Sequence, residues 1–464
     1  MSLDRWDAVM WGSESVSLCY IEVSASLEVY EGDECMVRRR RLAITILSVS
    51  LCFTLSLLSW NIYENEPIFD LPDLHHPFPA NLSAPPSLRR SATLYDRNFS
   101  FFLNLSEYSR MYPGLQDYRC RAVIGLDDYC QTREPLILLA VKSHPTGRDR
   151  RDSLRRTWAR GGKLGGYHLK RVFLVANSGF RRQMERLVEE AAQHEDIILW
   201  DFMESHHNLS LKERCFLEWL YYRCADATYI FKGDDDEFVN PHALVSYISS
   251  SPREYRLRIH GQLQIHAPPE RWGKYAVPLS VYPHGYYPPF VSGGGFLLPS
   301  ELVPSLYWAA ATIPIFPLDD VFFGFLALAA KVTFHHEPRF RSFGLKNDHA
   351  CRYADVLVAH GLTPKRLLAL WQELPHLKPC PPELYEKDKE EEKMIHSFLS
   401  QPKVVMEILR CVRSLNSRFT HSYHNPRWSW RSFDVCVASI LDSLIPIPSQ
   451  GGHGDPSMCA EHQF

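Results

Sequence analysis

Between Pro135 and Ser251 short apolar runs alternate with segments of helical period, and this alternation restricts the chain more than any other feature. "LILLAV" (136–141) reads as a buried strand and "RRDSLRRTWAR" as a helix that Gly161 and Gly162 can end. "RVFLVA" is a second strand, followed by the helix "RRQMERLVEEAAQ" and the strand "DIILW". "SLKERCFLEWLYYRC" opens with Ser210 and Glu213 in capping-box spacing and leads into the strand "TYIFK"; Asn240 and Pro241 then stand as N-cap and first residue of another helix. Strands alternating with helices predict an α/β fold, a mostly parallel sheet covered on both faces.

In such sheets ligands bind beyond the carboxyl ends of the strands, which is where "FKGDDDEFVN" (231–240) falls. No G-x-G-x-x-G or Walker sequence follows any of these strands, so a bound phosphate would not be held by a glycine-rich loop. With the backbone extended, Asp234 and Asp236 point to one side and Asp235 to the other, and two carboxylates on one face suit a hard divalent cation. A solvated acidic turn ahead of the Asn240 helix is the plain alternative. A calcium loop fits poorly, because Gly and Glu are missing from its sixth and twelfth positions.

A second acidic pair sharpens the choice. "PLDDVFFGF" (317–325) sets Asp319 and Asp320 between apolar stretches that have little other use for paired carboxylates. Upstream, "YYPPFVSGGGFLLP" offers Gly293, Gly294 and Gly295, whose missing side chains let a substrate approach the backbone, although such a stretch is also an ordinary tight turn.

The address comes from "LAITILSVSLCFTLSLLSW" (42–60), uncharged over 19 residues, about the length of a bilayer's hydrocarbon core. Arg38, Arg39, Arg40 and Arg41 precede it and acidic residues follow, which keeps the N-terminus cytosolic and the bulk of the chain lumenal. A cleaved signal peptide is the alternative, but the run is too long and lacks a small-x-small site. Met36 is a second candidate start. Sequons at Asn81, Asn98, Asn104 and Asn208 agree with a lumenal body. Nine of twelve cysteines follow the run, which predicts disulfides with at least one cysteine left over; Cys215 and Cys224, nine positions apart on one predicted helix, cannot pair with each other. A net charge of -3 without a basic cluster speaks against nucleic acid. The expected organisation is a cytosolic tail (1–41), a membrane anchor (42–60), a Pro-, Ser- and Asn-rich stem (61–119), a body (120–385) and an extension of unassigned role (386–464).

The ordered set "RRDSLRRTW", "HNLSLKE", "FKGDDD", "YYPPFVSGGGFL", "PLDDVFFG" and "RYADVLVAH" resembles the β-1,3-glycosyltransferase family of the Golgi, type II membrane enzymes with a GT-A (Rossmann-like) fold, over about Pro135 to Cys380. Three glycines followed by Phe, with "PLDDV", resemble its β-1,3-N-acetylglucosaminyltransferases more than its β-1,3-galactosyltransferases. The resemblance implies UDP-GlcNAc as donor, a Mn2+ or Mg2+ ion, and inverting transfer to the 3-hydroxyl of a terminal galactose. It implies that Asp236 ligates the metal with His360, and that Asp234, Asp235, Arg151, Arg155, Lys232 and the three glycines contact the nucleotide sugar. Asp320 would be the general base, beside Asp319. Ala159, and Val291 with Ser292, depart from the family's pattern, both departures near the expected donor pocket. A galactosyltransferase, or a non-catalytic lumenal glycan-binding or partner subunit, are the rival readings; a homo- or hetero-oligomer is compatible with either.

Overall fold

The computed structural model describes residues 91–381 apart from Asn98, Lys346 and Asn347, together with Ser50, Phe53, Thr54, Leu55 and Leu57. The rest of the 42–60 run, residues 61–90, the 386–464 extension, Met36 and the sequons at Asn81 and Asn98 therefore lie outside the described residues. Among those described, no helix is long and apolar enough to cross a membrane.

A hairpin of β1 (Ala92–Asp96) and β2 (Phe99–Leu103) is followed by α1 (Leu105–Met111), α2 (Pro113–Asp117) and β3 (Ala122–Ile124). Then come β4 (Leu136–Lys142), α3 (Arg148–Arg156), β5 (Gly162–Leu164), β6 (Tyr167–Asn177), α4 (Arg181–His194), β7 (Ile197–Met203), α5 (Leu209–Arg223) and β8 (Ala227–Asp234). These are the expected alternating elements. After them run β9 (Glu237–Val239), α6 (Pro241–Ser250), β10 (Arg258–Gln264), β11 (Phe290–Pro299), α7 (Val303–Thr312), α8 (Asp319–Ala329), β12 (Thr333–His336), β13 (Phe340–Arg341), β14 (Val358–His360) and α9 (Pro364–Glu373).

The main sheet has the order β12-β10-β11-β8-β4-β6-β7-β3, with β5 paired to β6. Its centre, β8-β4-β6-β7, is parallel, while β11 and β3 add antiparallel edges to that centre, so the sheet is mixed. β4 is buried along its whole length, as a strand covered on both faces must be. Its residues divide by parity. Leu136, Leu138 and Ala140 join α5, α7 and α8 on one face, and Ile137, Leu139 and Val141 join α3, α4, α6 and α9 on the other.

Two local expectations need correction. Asn240 does cap α6, its Oδ1 accepting from Ala243 N at 3.1 Å. Ser210 and Glu213, however, form no capping box, because α5 starts at Leu209 and buries both residues; Glu213 accepts instead from Lys232. Residues 92–117, expected within the stem, are folded onto the body, with Phe101, Leu103 and Tyr108 in the core beside α8. Elements this short leave little periodicity to read.

Disulfides Cys120–Cys215 and Cys130–Cys224 tie the segment before β4 to α5, so the two helix cysteines each found a partner elsewhere. Cys351–Cys380 closes a loop that contains β14 and α9. A small second sheet, β13-β14-β9, sits after the carboxylates: β8 ends at Asp234, the chain turns through Asp235 and Asp236, and β9 begins at Glu237.

Candidate active site

The turn between the two sheets sets the site. β9 and β14 pair with Glu237 opposite His360, and Asp236 O accepts from the backbone N–H groups of Gly361 and Leu362 at 3.0 and 2.7 Å. This brings His360 Nε2 to 3.2 Å from Asp236 Oδ1, a buried oxygen that has no hydrogen-bond partner among the described residues. The extended backbone assumed for the three aspartates is not what forms. Asp234 faces Lys142, Asp235 accepts from Ser143 Oγ at 2.7 Å and meets Arg150 at 3.3 Å, and Asp236 meets the same guanidinium at 3.4 Å.

Asp319 and Asp320 are the first residues of α8, where carboxylates face the positive end of the helix. Gly293 of β11 runs beside them, and a Cβ there would lie 3.6 Å from Asp320 Cβ and 3.8 Å from Lys142 Nζ. Lys142, the last residue of β4, joins the two acidic motifs. Its ammonium lies 2.6 Å from Asp319 Oδ2 and 3.1 Å from Asp234 Oδ1, with the side chain only 8% exposed. Burial works against that charge, but Asp234, Asp319 and Glu213 outweigh it and hold the pKa well above the usual lysine range.

The two neighbouring aspartates are pushed apart. Burial raises Asp319, yet Lys142 prevails and its carboxyl stays below the ordinary value. Asp320 lacks such a partner, so burial, followed by the Asp319 charge, pushes it up to about 7. Two adjacent carboxylates with separated pKa values are a usual basis for dividing acid–base roles.

Both acidic motifs, with Lys142, Gly293 and His360, open on one cavity of about 1040 Å³, lined among others by Asp234, Asp235, Asp236, Asp319 and Asp320. Its size is that of a small-molecule ligand site. Ser292 also lines it, whereas Val291 and Ala159 are buried and do not.

Several expected contacts fall elsewhere. Arg151 is fully buried, donating to Glu190 at 2.6 and 2.8 Å and to Ser143 Oγ and His144 O. Arg155 is held by Glu190 and Asp196. Neither lines the cavity; buried arginines require carboxylate partners, and these two knit α3 to α4 and the start of β7. Lys232 lies beneath the site at 1% exposure, with Glu213 and the rings of Phe216 and Phe296. Gly294 also lines the cavity, but its missing side chain makes room for protein as well: a Cβ there would stand 2.8 Å from Ser342 O. Gly295, with φ +96°, is behind the wall against Val358. The cations that do face the acidic residues, Lys142 and Arg150, went unread. Their signal was position, one at the last residue of a strand and the other in the first turn of the following helix.

Residues 149–338 match the model of the Galactosyltransferase family. A Rattus norvegicus protein named UDP-GlcNAc:betaGal beta-1,3-N-acetylglucosaminyltransferase 7 is 35% identical over 294 residues, covering 58% of this chain and 72% of the relative. The chain belongs to this family of glycosyltransferases. A Homo sapiens N-acetyllactosaminide beta-1,3-N-acetylglucosaminyltransferase 3 is 37% identical over 286 residues, with 58% and 74% of the two chains covered. The Homo sapiens UDP-GlcNAc:betaGal beta-1,3-N-acetylglucosaminyltransferase 9 is 32% identical over 341 residues, covering 67% and 83%. The glycosyltransferase is thus similar to proteins named for one linkage and one transferred sugar, with two acceptor names among them.

Proposed function

We propose that the enzyme transfers N-acetylglucosamine from UDP-GlcNAc to the 3-hydroxyl of a terminal galactose, with inversion, in the Golgi lumen behind an anchor at residues 42–60. The observation that carries the reading is the single cavity in which Lys142 joins the Asp234–Asp236 turn to the Asp319–Asp320 pair. The names of the relatives support the donor and the linkage.

A sugar hydroxyl is a poor nucleophile at neutral pH, so a carboxylate must take its proton as it attacks. Asp320, pushed up to about 7 by burial and by Asp319 and making no ion pair among the described residues, takes that proton in this reading. The acceptor oxygen bonds to the anomeric carbon, the bond from that carbon to the diphosphate oxygen breaks, and UDP leaves with the electron pair. Lys142 keeps Asp319 ionised and out of the proton transfer while adding positive charge near the departing diphosphate.

Asp236 and His360 fit a Mn2+ or Mg2+ ion: a buried carboxylate oxygen without a hydrogen bond faces an imidazole nitrogen, which leaves other positions for phosphate oxygens. When bound, the ion would neutralise charge on the leaving diphosphate.

The test is transfer by the purified full chain from UDP-GlcNAc and from UDP-Gal to galactose-terminated disaccharides, read by mass, with Asp320→Asn beside the wild type. GlcNAc transfer that Asp320→Asn abolishes, with UDP-sugar binding retained, is expected. Transfer of galactose alone would move the enzyme to the rival donor, and lost binding in the variant would remove Asp320 from the role of base.

A further inference from the structure

The 25 residues between β10 and β11, 265–289, contain no strand or helix, yet they are firmly built. Arg271 Nη1 donates to Val277 O and Tyr282 O at 2.8 and 2.9 Å, and Nη2 to His284 O at 3.0 Å. Val277, Val281 and Tyr282 are in the core. A long irregular segment that is this well fixed is a common carrier of binding residues.

Two tyrosines of this segment line the cavity. Tyr275 is 46% exposed, with its ring edge-on to His206 at 5.2 Å between centroids. His206 and Tyr275 line the cavity together with Asp319 and Asp320. Tyr287 is almost completely buried and its hydroxyl has no hydrogen-bond partner among the described residues. Burial holds that hydroxyl protonated, and Asp320 is among the charges acting on it. An unmatched buried donor is costly to keep, so a group on a ligand is its natural partner.

Resting on the transfer reading above, we propose that Tyr275 and Tyr287 form the subsite for the acceptor sugar. The ring of Tyr275 takes the apolar C–H face of the sugar, since an electron-rich ring face attracts weakly positive C–H groups. The Tyr287 hydroxyl hydrogen-bonds a sugar oxygen and so fixes the rotation that points the attacking hydroxyl at Asp320. The metal end of the cavity is then left to the donor.

Initial rates and saturation-transfer NMR with N-acetyllactosamine test this on the full-length enzyme. Tyr275→Ala should raise the acceptor KM about tenfold, the scale of one lost apolar contact, and abolish the sugar's NMR contact while leaving the UDP-GlcNAc KM unchanged. Tyr275→Phe should behave as wild type. Tyr287→Phe should raise the acceptor KM by about the same factor, a hydrogen bond unmade at a built site. An unchanged acceptor KM in Tyr275→Ala, or a Tyr275→Phe as weak as the alanine variant, would overturn the stacking role. The NMR arm needs no turnover: if the wild type binds the disaccharide but transfers no GlcNAc, the donor reading falls and the subsite is still decided. If it transfers GlcNAc only to sugars that ignore both tyrosines, the subsite falls and the enzyme reading stands.

Discussion

Replacing Lys142 with Met keeps the length of the side chain and removes the cation between the two acidic motifs. At 2.6 Å from Asp319 and 3.1 Å from Asp234, the gross attractions are about 6 and 5 kcal/mol at an effective dielectric of about 20. Desolvation of three charged groups offsets much of this, and breaking such a buried set costs about 3–5 kcal/mol net. With an unfolding entropy of ~0.6 kcal/mol/K for a body of about 290 residues, that is a fall in Tm of about 5–8 °C. Scanning calorimetry at pH 7 and at pH 4.5 makes the reasoning testable beyond its magnitude. In the wild type the lowered Asp319 pKa means that its contribution is present above the ordinary carboxyl value of 3.8 and is lost only as pH falls through the lowered one. In Lys142→Met burial acts without its main opponent and lifts Asp319, so acid protonates and relieves the variant first. The gap between the two proteins should therefore narrow from pH 7 to pH 4.5. A loss below about 1 kcal/mol, or a gap as wide at pH 4.5 as at pH 7, would refute the assignment of Lys142 as the shared counter-ion.

Two further outcomes follow from the same geometry. Because burial and Asp319 push Asp320 up to about 7, kcat should climb with pH below that value and level off above it; a flat profile from about pH 5.5 to 8.5 would exclude Asp320 as the base. Gly295→Ala places a Cβ 2.7 Å from Val358 Cγ1 at φ +96° and should cost at least about 1 kcal/mol; if Asp236 and His360 hold Mn2+ as proposed, it should weaken that binding as well, because Val358 is two residues from His360. Gly166→Ala, with φ +83° and no atom within 4 Å of the added carbon, carries the backbone strain without the collision, and titration calorimetry of the two variants separates these effects.

The central parallel strands and their covering helices were legible because each is long enough to show its period, and both acidic motifs were legible because carboxylates beside apolar runs have few other uses. What escaped was set by tertiary contacts. Ser210 and Glu213 have the spacing of a capping box, but spacing is local, and the demand of Lys232 for a buried partner overrode it. The hairpin at residues 92–103 is too short to show alternation, and its place against α8 comes from Phe101 and Leu103 finding a core far along the chain.

The arginines make the same point from the opposite side. "RRDSLRR" presents four guanidiniums in seven residues, and the sequence alone does not tell which of them turn inward. Helical spacing brings Arg151 and Arg155, four residues apart, to one face, and there Glu190 and Asp196 receive them. Arg150, one step around the helix from Arg151, is directed at Asp235 and Asp236. A residue type therefore identified the chemistry available beside the acidic turn, while a rotation of about 100° per residue decided which copy of it faced Asp235 and Asp236. The cation that spans the site, Lys142, belongs to a strand, and it was obscured by the same run of apolar residues that made the strand easy to recognise.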